Sequence, residues 1–562
     1  MTTTPTAHTT PTGEPEAPSR GAELADRAIS ALWRLPRGSG YTVTRALRVR
    51  MRDGVELLAD HYAPTSTTRA GNGTVLVRGP YGRTGVNSLL HARLYAARGY
   101  HVLLQSCRGT FGSGDDFQPM LREVDDGQDT VAWLREQEWF DGRLATMGLS
   151  YLGFTQWALL MDPPPELRTA IISVGPHDFS RATHGVGAFS LRDFLGWSEM
   201  VARQEEPGIV SGLVRMATAD RRLRPGLDGL PLADAGEGVL AGRAPWYRDW
   251  VSRPDPGDPF WERVQLDAAL DRVQVPLLLV GGWHDLFADQ TLAQYSYLRR
   301  RGLDVALTMG AWTHMEMLGK AGPGSAHEAL DWLGEHLAGR PGRKRAAPVR
   351  IEVTGADGGW RGLPEWPPPA ADHVLFPKQG GALDATPPTD GSVAFTYDPA
   401  DPTPAVGGRV LARAAGVRDN RALESRPDVR TFTGEPLAAD LEVVGVPAVD
   451  LVHRSDNPHA DLFVRICDVD PKGRSRNLSD GFVRLTAAEG DGDVVRLELD
   501  ALAHRFPAGH RVRLQVSGGA HPRLARNLGT GDPAASGTRT RPSHRVITLD
   551  GRSRLVLPVA AR

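Results

Sequence analysis

Short apolar runs alternate with helical patterns through the first third of the chain: Thr74–Val77, His101–Gln105, Leu144–Met147 and Ala170–Val174. Each run is continuous rather than alternating. Strands that are apolar on both faces must be covered on both sides, so runs spaced by helices predict a parallel sheet between two helical layers. The segment Asp125 to Trp139 (DDGQDTVAWLREQEW) carries Val131, Trp133 and Leu134 near helical spacing and is expected as one covering helix. Two later runs, Pro276–Val280 and Val305–Met309, extend the same sheet. Between the earlier runs and these two, from about 186 to 255, only helical patterns occur, around Leu191–Gln204 and Ile209–Arg221. That stretch reads as an inserted helical cap, the kind of element that shapes a substrate pocket.

After about residue 343 the period changes to two. Val495-Arg496-Leu497-Glu498-Leu499-Asp500 and His510 to Val516 alternate strictly, as antiparallel strands with one buried face do. Many short strands punctuated by Gly and Pro predict a β-sandwich or jelly roll. The opening 20 residues, rich in Thr and Pro, cannot bury enough apolar surface to offset ordering and are expected to be a disordered tail. The division that follows is 1–40 tail and lead-in, 41–185 with 256–342 an α/β-hydrolase type sheet domain, 186–255 cap, and 343–562 sandwich. The fold class expected is thus α/β, followed by an all-β domain.

Composition narrows the function. A chain of 562 residues exceeds a single core, so several domains are required. Lys and Arg number 65 against 67 Asp and Glu, with a pI near 6.8. No excess of one sign points to nucleic acid or an anionic membrane. Two distant cysteines, Cys107 and Cys467, without a Cys/His cluster argue against a disulfide scaffold or a zinc site. A reducing cytoplasm is the expected compartment: the first 20 residues lack a signal-peptide apolar core, and no stretch runs 18 apolar residues.

The sharpest chemical signal is Met147-Gly148-Leu149-Ser150-Tyr151-Leu152-Gly153, placed after an apolar strand and before a helical pattern. A small residue two before the serine permits the strand-to-helix turn that exposes a nucleophile at the C-terminal edge of a sheet. Leu152 occupies the second glycine position of the common GxSxG, and alone the motif also suits an ordinary serine capping a helix. Its partners decide between the two. In this fold an acid and then a histidine follow the serine, each on a turn after a later strand. Gly281-Gly282-Trp283-His284-Asp285 follows the run ending at Val280, and Gly310-Ala311-Trp312-Thr313-His314 follows the run ending at Met309. Ser150, Asp285 and His314 are therefore the expected triad, with His284, on the acid's own turn, the second-ranked base. Developing negative charge on a carbonyl oxygen needs donors. The Tyr151 backbone N–H is one; the loop after Thr74–Val77 has no HGGG-type backbone hole, which leaves the Tyr81 phenol as the other. Acyl transfer by a triad requires neither metal nor cofactor.

These residues resemble the bacterial cocaine esterase group, which shares its architecture with the X-Pro dipeptidyl-peptidases and α-amino acid ester hydrolases. The resemblance covers nearly everything after residue 41. It rests on Met51-Arg52-Asp53-Gly54-Val55 with Leu58-Ala59-Asp60, the Gly79-Pro80-Tyr81 loop, Cys107-Arg108-Gly109 with Ser113-Gly114, the GLSYLG elbow, the GGWHD and WTH turns, and Asn477 to Gly481 followed by Gly509-His510-Arg511. It implies Ser150 as nucleophile, Asp285 and His314 as its partners, and Tyr81 with the Tyr151 amide as oxyanion hole. Gly79 stands where the family usually has Asn, and such a glycine is expected to loosen the Tyr81 loop; Cys107 likewise replaces a usual Asp or Val.

The amino acid ester hydrolases resemble one another in a run of carboxylates after the catalytic Asp. Here that run reads Leu286-Phe287-Ala288, so an apolar acyl pocket is expected in place of an ammonium site. Phe287 and Trp197 are similar to the aromatic wall of the esterases, although plain core aromatics would look the same. The leading expectation is hydrolysis of a small-molecule ester or amide. A dipeptidyl-peptidase, needing an acidic site for a substrate amine, is the alternative, with Glu199, Glu205 and Glu206 the available cap residues. A non-catalytic binding protein is a third reading, against which the order of the triad speaks. A homodimer is left open.

Overall fold

The computed structural model describes residues 13–65, 71–206, 209–341, 345–485 and 492–560, with the side chains of 209–217 outside that description. Its described residues up to Gly355 are built on one sheet. A hairpin, β1 (Tyr41–Arg50) and β2 (Glu56–Pro64), leads antiparallel onto β4 (His101–Ser106), and β3 (Thr74–Gly79) follows alongside β4 in parallel. From β3 the parallel series continues through β5 (Leu144–Leu149), β6 (Leu167–Ser173), β7 (Leu277–His284), β8 (Val305–Thr313) and β9 (Val349–Gly355). The spatial order is therefore 1-2-4-3-5-6-7-8-9. Every side chain of β3 and β7 is buried, which is why these strands read as continuous apolar runs.

Glu123–Arg135 forms a covering helix, burying Val131 and Leu134 while Trp133 is half-buried; it begins and ends earlier than the pattern suggested because Gln137 to Phe140 turn away. Between β6 and β7 lies a segment whose described residues form helices joined by turns, with no strand among them beyond the isolated Asp178–Gln265 bridge. It contains α1 (Leu191–Ala202), α2 (Ile209–Asp228), Leu232–Leu240 and Trp246–Ser252. Its interior is aromatic, with Phe179, Phe194, Trp250 and Trp261 in edge-to-face or tilted contact.

Of the opening 20 residues expected to be a disordered tail, those from Gly13 on are described, and Glu16 pairs there with Val43 by two backbone hydrogen bonds of 2.9 and 2.8 Å. Residues 1–12 lie outside the described residues, but Arg20–Leu32 is a helix, capped by the Ser19 hydroxyl accepting from the Ala22 N–H at 3.2 Å. That helix buries no residue fully. Polar contacts hold it instead: Asp26 pairs with Arg93 at 2.6 Å and accepts the Tyr41 hydroxyl at 2.8 Å.

The C-terminal part is all-β. One sheet carries Arg430–Gly434, Arg511–Ser517, Ala460–Val469 and Ser475–Leu485 in that order. A second contains Ala370–Pro377, Arg554–Ala560, Ala448–Ser455, Ser543–Thr548 and Ser392–Tyr397. Val449, Leu451, Val464, Ile466, Leu514 and Leu555 fill the space between the two sheets. The alternation of Val494–Glu498 appears as buried Val495 and Leu497 between exposed neighbours. Among the described residues no helix is long and apolar enough to cross a membrane, and both cysteines are buried thiols.

Candidate active site

β5 ends at Leu149 and a helix, Tyr151–Leu159, begins two residues later. Ser150, the single residue between them, has φ 61° and ψ −123°, a conformation that strains any residue bearing a β carbon. The strain belongs to the turn, which lifts the Ser150 hydroxyl above the sheet edge. Leu152 explains two oddities at once. A β carbon at Gly79 would lie 2.4 Å from Leu152 Cδ1, and one at Gly148 2.4 Å from Leu152 Cβ. The glycine that replaces the family's Asn and the leucine that replaces the motif's second glycine are thus complementary. Leu152 fills the room beneath the Tyr81 loop, so that loop is packed, contrary to the loosening expected of Gly79.

β7 and β8 deliver the other two groups on adjacent parallel strands. Asp285 is fully buried; its Oδ1 accepts from the Phe287 N–H at 2.7 Å, and its Oδ2 lies 2.5 Å from His314 Nδ1. His314 Nε2 lies 2.9 Å from Ser150 Oγ. A carboxylate only accepts, so Nδ1 carries the proton of the first contact and Nε2 is left to accept from the serine. His284 is outside this chain of contacts, and burial holds its imidazole down to about 4.

Tyr81 and Tyr151 flank the serine. The Tyr81 phenol is pushed up to about 12 by burial, an effect that Trp197 and Ser150 oppose; Trp197 Nε1 donates to its oxygen at 3.1 Å. Tyr151's own hydroxyl is committed elsewhere, donating to Glu123 at 2.8 Å and accepting from the Met120 N–H at 2.8 Å. Its backbone N–H, the first of its helix, has no acceptor one turn back. Over the serine lies a narrow cavity of ≈ 20 Å³, walled by Tyr81, Met120, Phe179, Phe194, Trp197 and Phe287. Phe287 stands edge-on to the His314 ring at 5.6 Å.

Sequence reasoning missed two residues here. Asp193, in the first turn of α1, lines this cavity and is 4% exposed, and its Oδ1 accepts from the Leu411 N–H at 2.6 Å. Among the described residues it forms no ion pair within 4.0 Å, and burial pushes its carboxyl up to about 6. Arg409, two residues before Leu411, donates to the carbonyl oxygens of Asp285 at 2.8 Å and Leu286 at 3.0 Å, and pairs with Asp289 and Asp500. Neither residue sits in a motif; only folding brings the 408–411 segment to the cleft. The cap carboxylates considered for an amine are occupied: Glu199 with Arg203 and Arg222, Glu205 with the Phe111 N–H, Glu206 with Arg203 and Arg243.

A parallel sheet of this order, a serine on a strained strand-to-helix turn and an Asp-His pair on the next two strands define a serine hydrolase of the α/β-hydrolase type. The comparisons with known proteins cover most of the chain. Residues 53–316 match the model of the X-Pro dipeptidyl-peptidase (S15) family, and residues 341–556 match the model of the X-Pro dipeptidyl-peptidase C-terminal non-catalytic domain. The chain is 29% identical to the cocaine esterase of Rhodococcus sp. (strain MB1 Bresler) over 540 residues, 87% of this chain and 93% of that one. In structure it is similar to an aminopeptidase from a marine sediment archaeon, Thaumarchaeota archaeon (TM-score 0.78, 24% identity, 92% of this chain and 96% of the other). It is equally similar to an α-amino acid ester hydrolase (TM-score 0.78, 23% identity, 92% and 97%).

Proposed function

We propose that the protein hydrolyses an ester or amide of a small, largely apolar acyl group through an acyl-enzyme on Ser150, as a carboxylesterase of the cocaine esterase type. The observation that carries this reading is the continuous contact from Asp285 through His314 to Ser150. His314 Nε2 takes the hydroxyl proton as Oγ bonds to the carbonyl carbon. It then returns that proton to the departing alcohol or amine as the C–O or C–N bond breaks. Water repeats the sequence on the acyl-enzyme, and Asp285 steadies the imidazolium. The Tyr81 O–H and the Tyr151 N–H receive the oxyanion. The helices of 186–255 serve as a cap over the acyl group, with Trp197 and Phe287 as its walls. A panel of p-nitrophenyl esters, Xaa-Pro anilides and amino acid esters, read beside fluorophosphonate labelling, tests the reading; absence of labelling and of ester turnover would overturn it.

Tyr81 supplies a prediction of its own. Its hydroxyl, raised by burial, stays protonated at neutral pH and can donate. Charge appears on the oxyanion only in the transition state, so Tyr81→Phe is expected to lower kcat by roughly 10²- to 10³-fold with KM little changed. A residue that only packs would give near-normal kcat in Tyr81→Phe and a lowered Tm in Tyr81→Ala.

One observation favours a second reading, a substrate carrying an amine. Asp193 is a buried carboxyl in the cavity wall that forms no ion pair within 4.0 Å among the described residues, Arg523, Arg192 and His314 acting on it only from farther off, and burying a charge without a close partner is costly. An ammonium group would supply the missing countercharge. The carboxyl is protonated below about 6 and ionised above it. The preference for an amino ester over its neutral analogue, as a ratio of kcat/KM, is therefore expected to grow about tenfold as pH rises through 6. Asp193→Asn should flatten that rise. Equal rates on the two esters at pH 8 would remove this reading and leave the first intact.

A further inference from the structure

We infer that Trp197 is a positioning residue acting through Tyr81, beyond any part it has as a wall of the acyl pocket. The inference rests on the reading of Tyr81 as an oxyanion donor. An indole N–H can only donate, whereas a phenol oxygen carries one hydrogen and two acceptor sites. With Trp197 Nε1 donating to that oxygen at 3.1 Å, Tyr81 is the acceptor in the contact and its own hydrogen is not spent there. Tyr81 and Ser150 line the same narrow cavity, so the hydrogen that the indole leaves free is available to the reacting centre. The same contact acts against the effect of burial on the phenol, which keeps Tyr81 the stronger donor.

Trp197 is itself held still. It is 7% exposed, lies parallel to the Tyr151 ring (9° between planes, centroids 6.1 Å apart) and is flanked by Trp246, Trp250 and Phe117. A second contact from the end of the same cap segment, Gln204 Nε2 to the Pro80 carbonyl at 2.8 Å, grips the residue before Tyr81. The cap thus fixes the backbone of the loop at one residue and the direction of a hydroxyl at the next. In a phenol without such a partner, the hydrogen can rotate toward any acceptor, and part of the population would point away from the nascent oxyanion.

The test is a double-mutant cycle of Trp197→Phe and Tyr81→Phe, assayed on one p-nitrophenyl ester with kcat and KM separated and Tm recorded. Trp197→Phe keeps an aromatic ring and removes the N–H. The expected result is a loss of about tenfold in kcat with KM within about twofold when Tyr81 is present, and less than about twofold in the Tyr81→Phe background. The same fold loss in both backgrounds would mean that Trp197 acts as a wall only and would overturn the inference. Wild-type kcat in Trp197→Phe beside an impaired Tyr81→Phe overturns it alone. Normal kcat in Tyr81→Phe removes the oxyanion role of Tyr81, and this inference with it.

Discussion

Ser150→Ala is expected to abolish fluorophosphonate labelling and to lower kcat by about 10⁴-fold or more while leaving the Tm essentially unchanged. The two halves of this expectation have separate causes. Alanine keeps the β carbon, so the positive-φ turn that the rest of the elbow imposes is neither relieved nor worsened. The hydroxyl's hydrogen bond is with His314 Nε2, and His314 stays held by Asp285 without it. Chemistry is lost and structure is not. Labelling that persists in this variant would show that another nucleophile carries the reaction.

Asp285→Asn is expected to cost roughly 10³- to 10⁴-fold in kcat with the fold preserved. An amide in place of the buried carboxylate can still accept from the Phe287 N–H through its oxygen. Its NH₂ then faces His314 Nδ1 and donates to it, which moves the imidazole proton to Nε2 and leaves the serine facing a donor. The loss is one of tautomer rather than of position. A companion measurement checks the choice of base: His314→Ala should be far more damaging than His284→Ala. The reverse order would reassign the base to the residue adjoining Asp285.

Much of this was legible in the chain because parallel strands buried on both faces leave uninterrupted apolar runs, and the turns after β5, β7 and β8 are where Ser150, Asp285 and His314 stand. The helices between β6 and β7 were legible as helical patterns without strands. The rest depends on contacts made at long range. Leu152 looks like a defect in the elbow motif until Gly79, more than seventy positions earlier, is seen to make room for it. Asp193 looks like any polar residue in the first turn of a helix. Only its placement against Leu411 and the cavity makes it the one unpaired carboxylate there among the described residues. The N-terminal helix was hidden for a different reason: Asp26, Arg93 and Tyr41 hold it by polar contacts, to which a reading of hydrophobic pattern is blind.

The grip of Arg409 on the acid's turn bears on how the protein matures. The guanidinium that binds the carbonyl oxygens of Asp285 and Leu286 lies 124 residues further along the chain than Asp285, in the all-β part, and its other partner, Asp500, comes later still. Domains form in order of synthesis, the N-terminal one first. A chain folded only as far as β8 holds Ser150, Asp285 and His314 but lacks the Arg409 contacts to the carbonyl oxygens of Asp285 and Leu286. Those two hydrogen bonds form only when the all-β part is in place against the Asp285 turn, so the support of that turn depends on residues that follow it by more than a hundred positions.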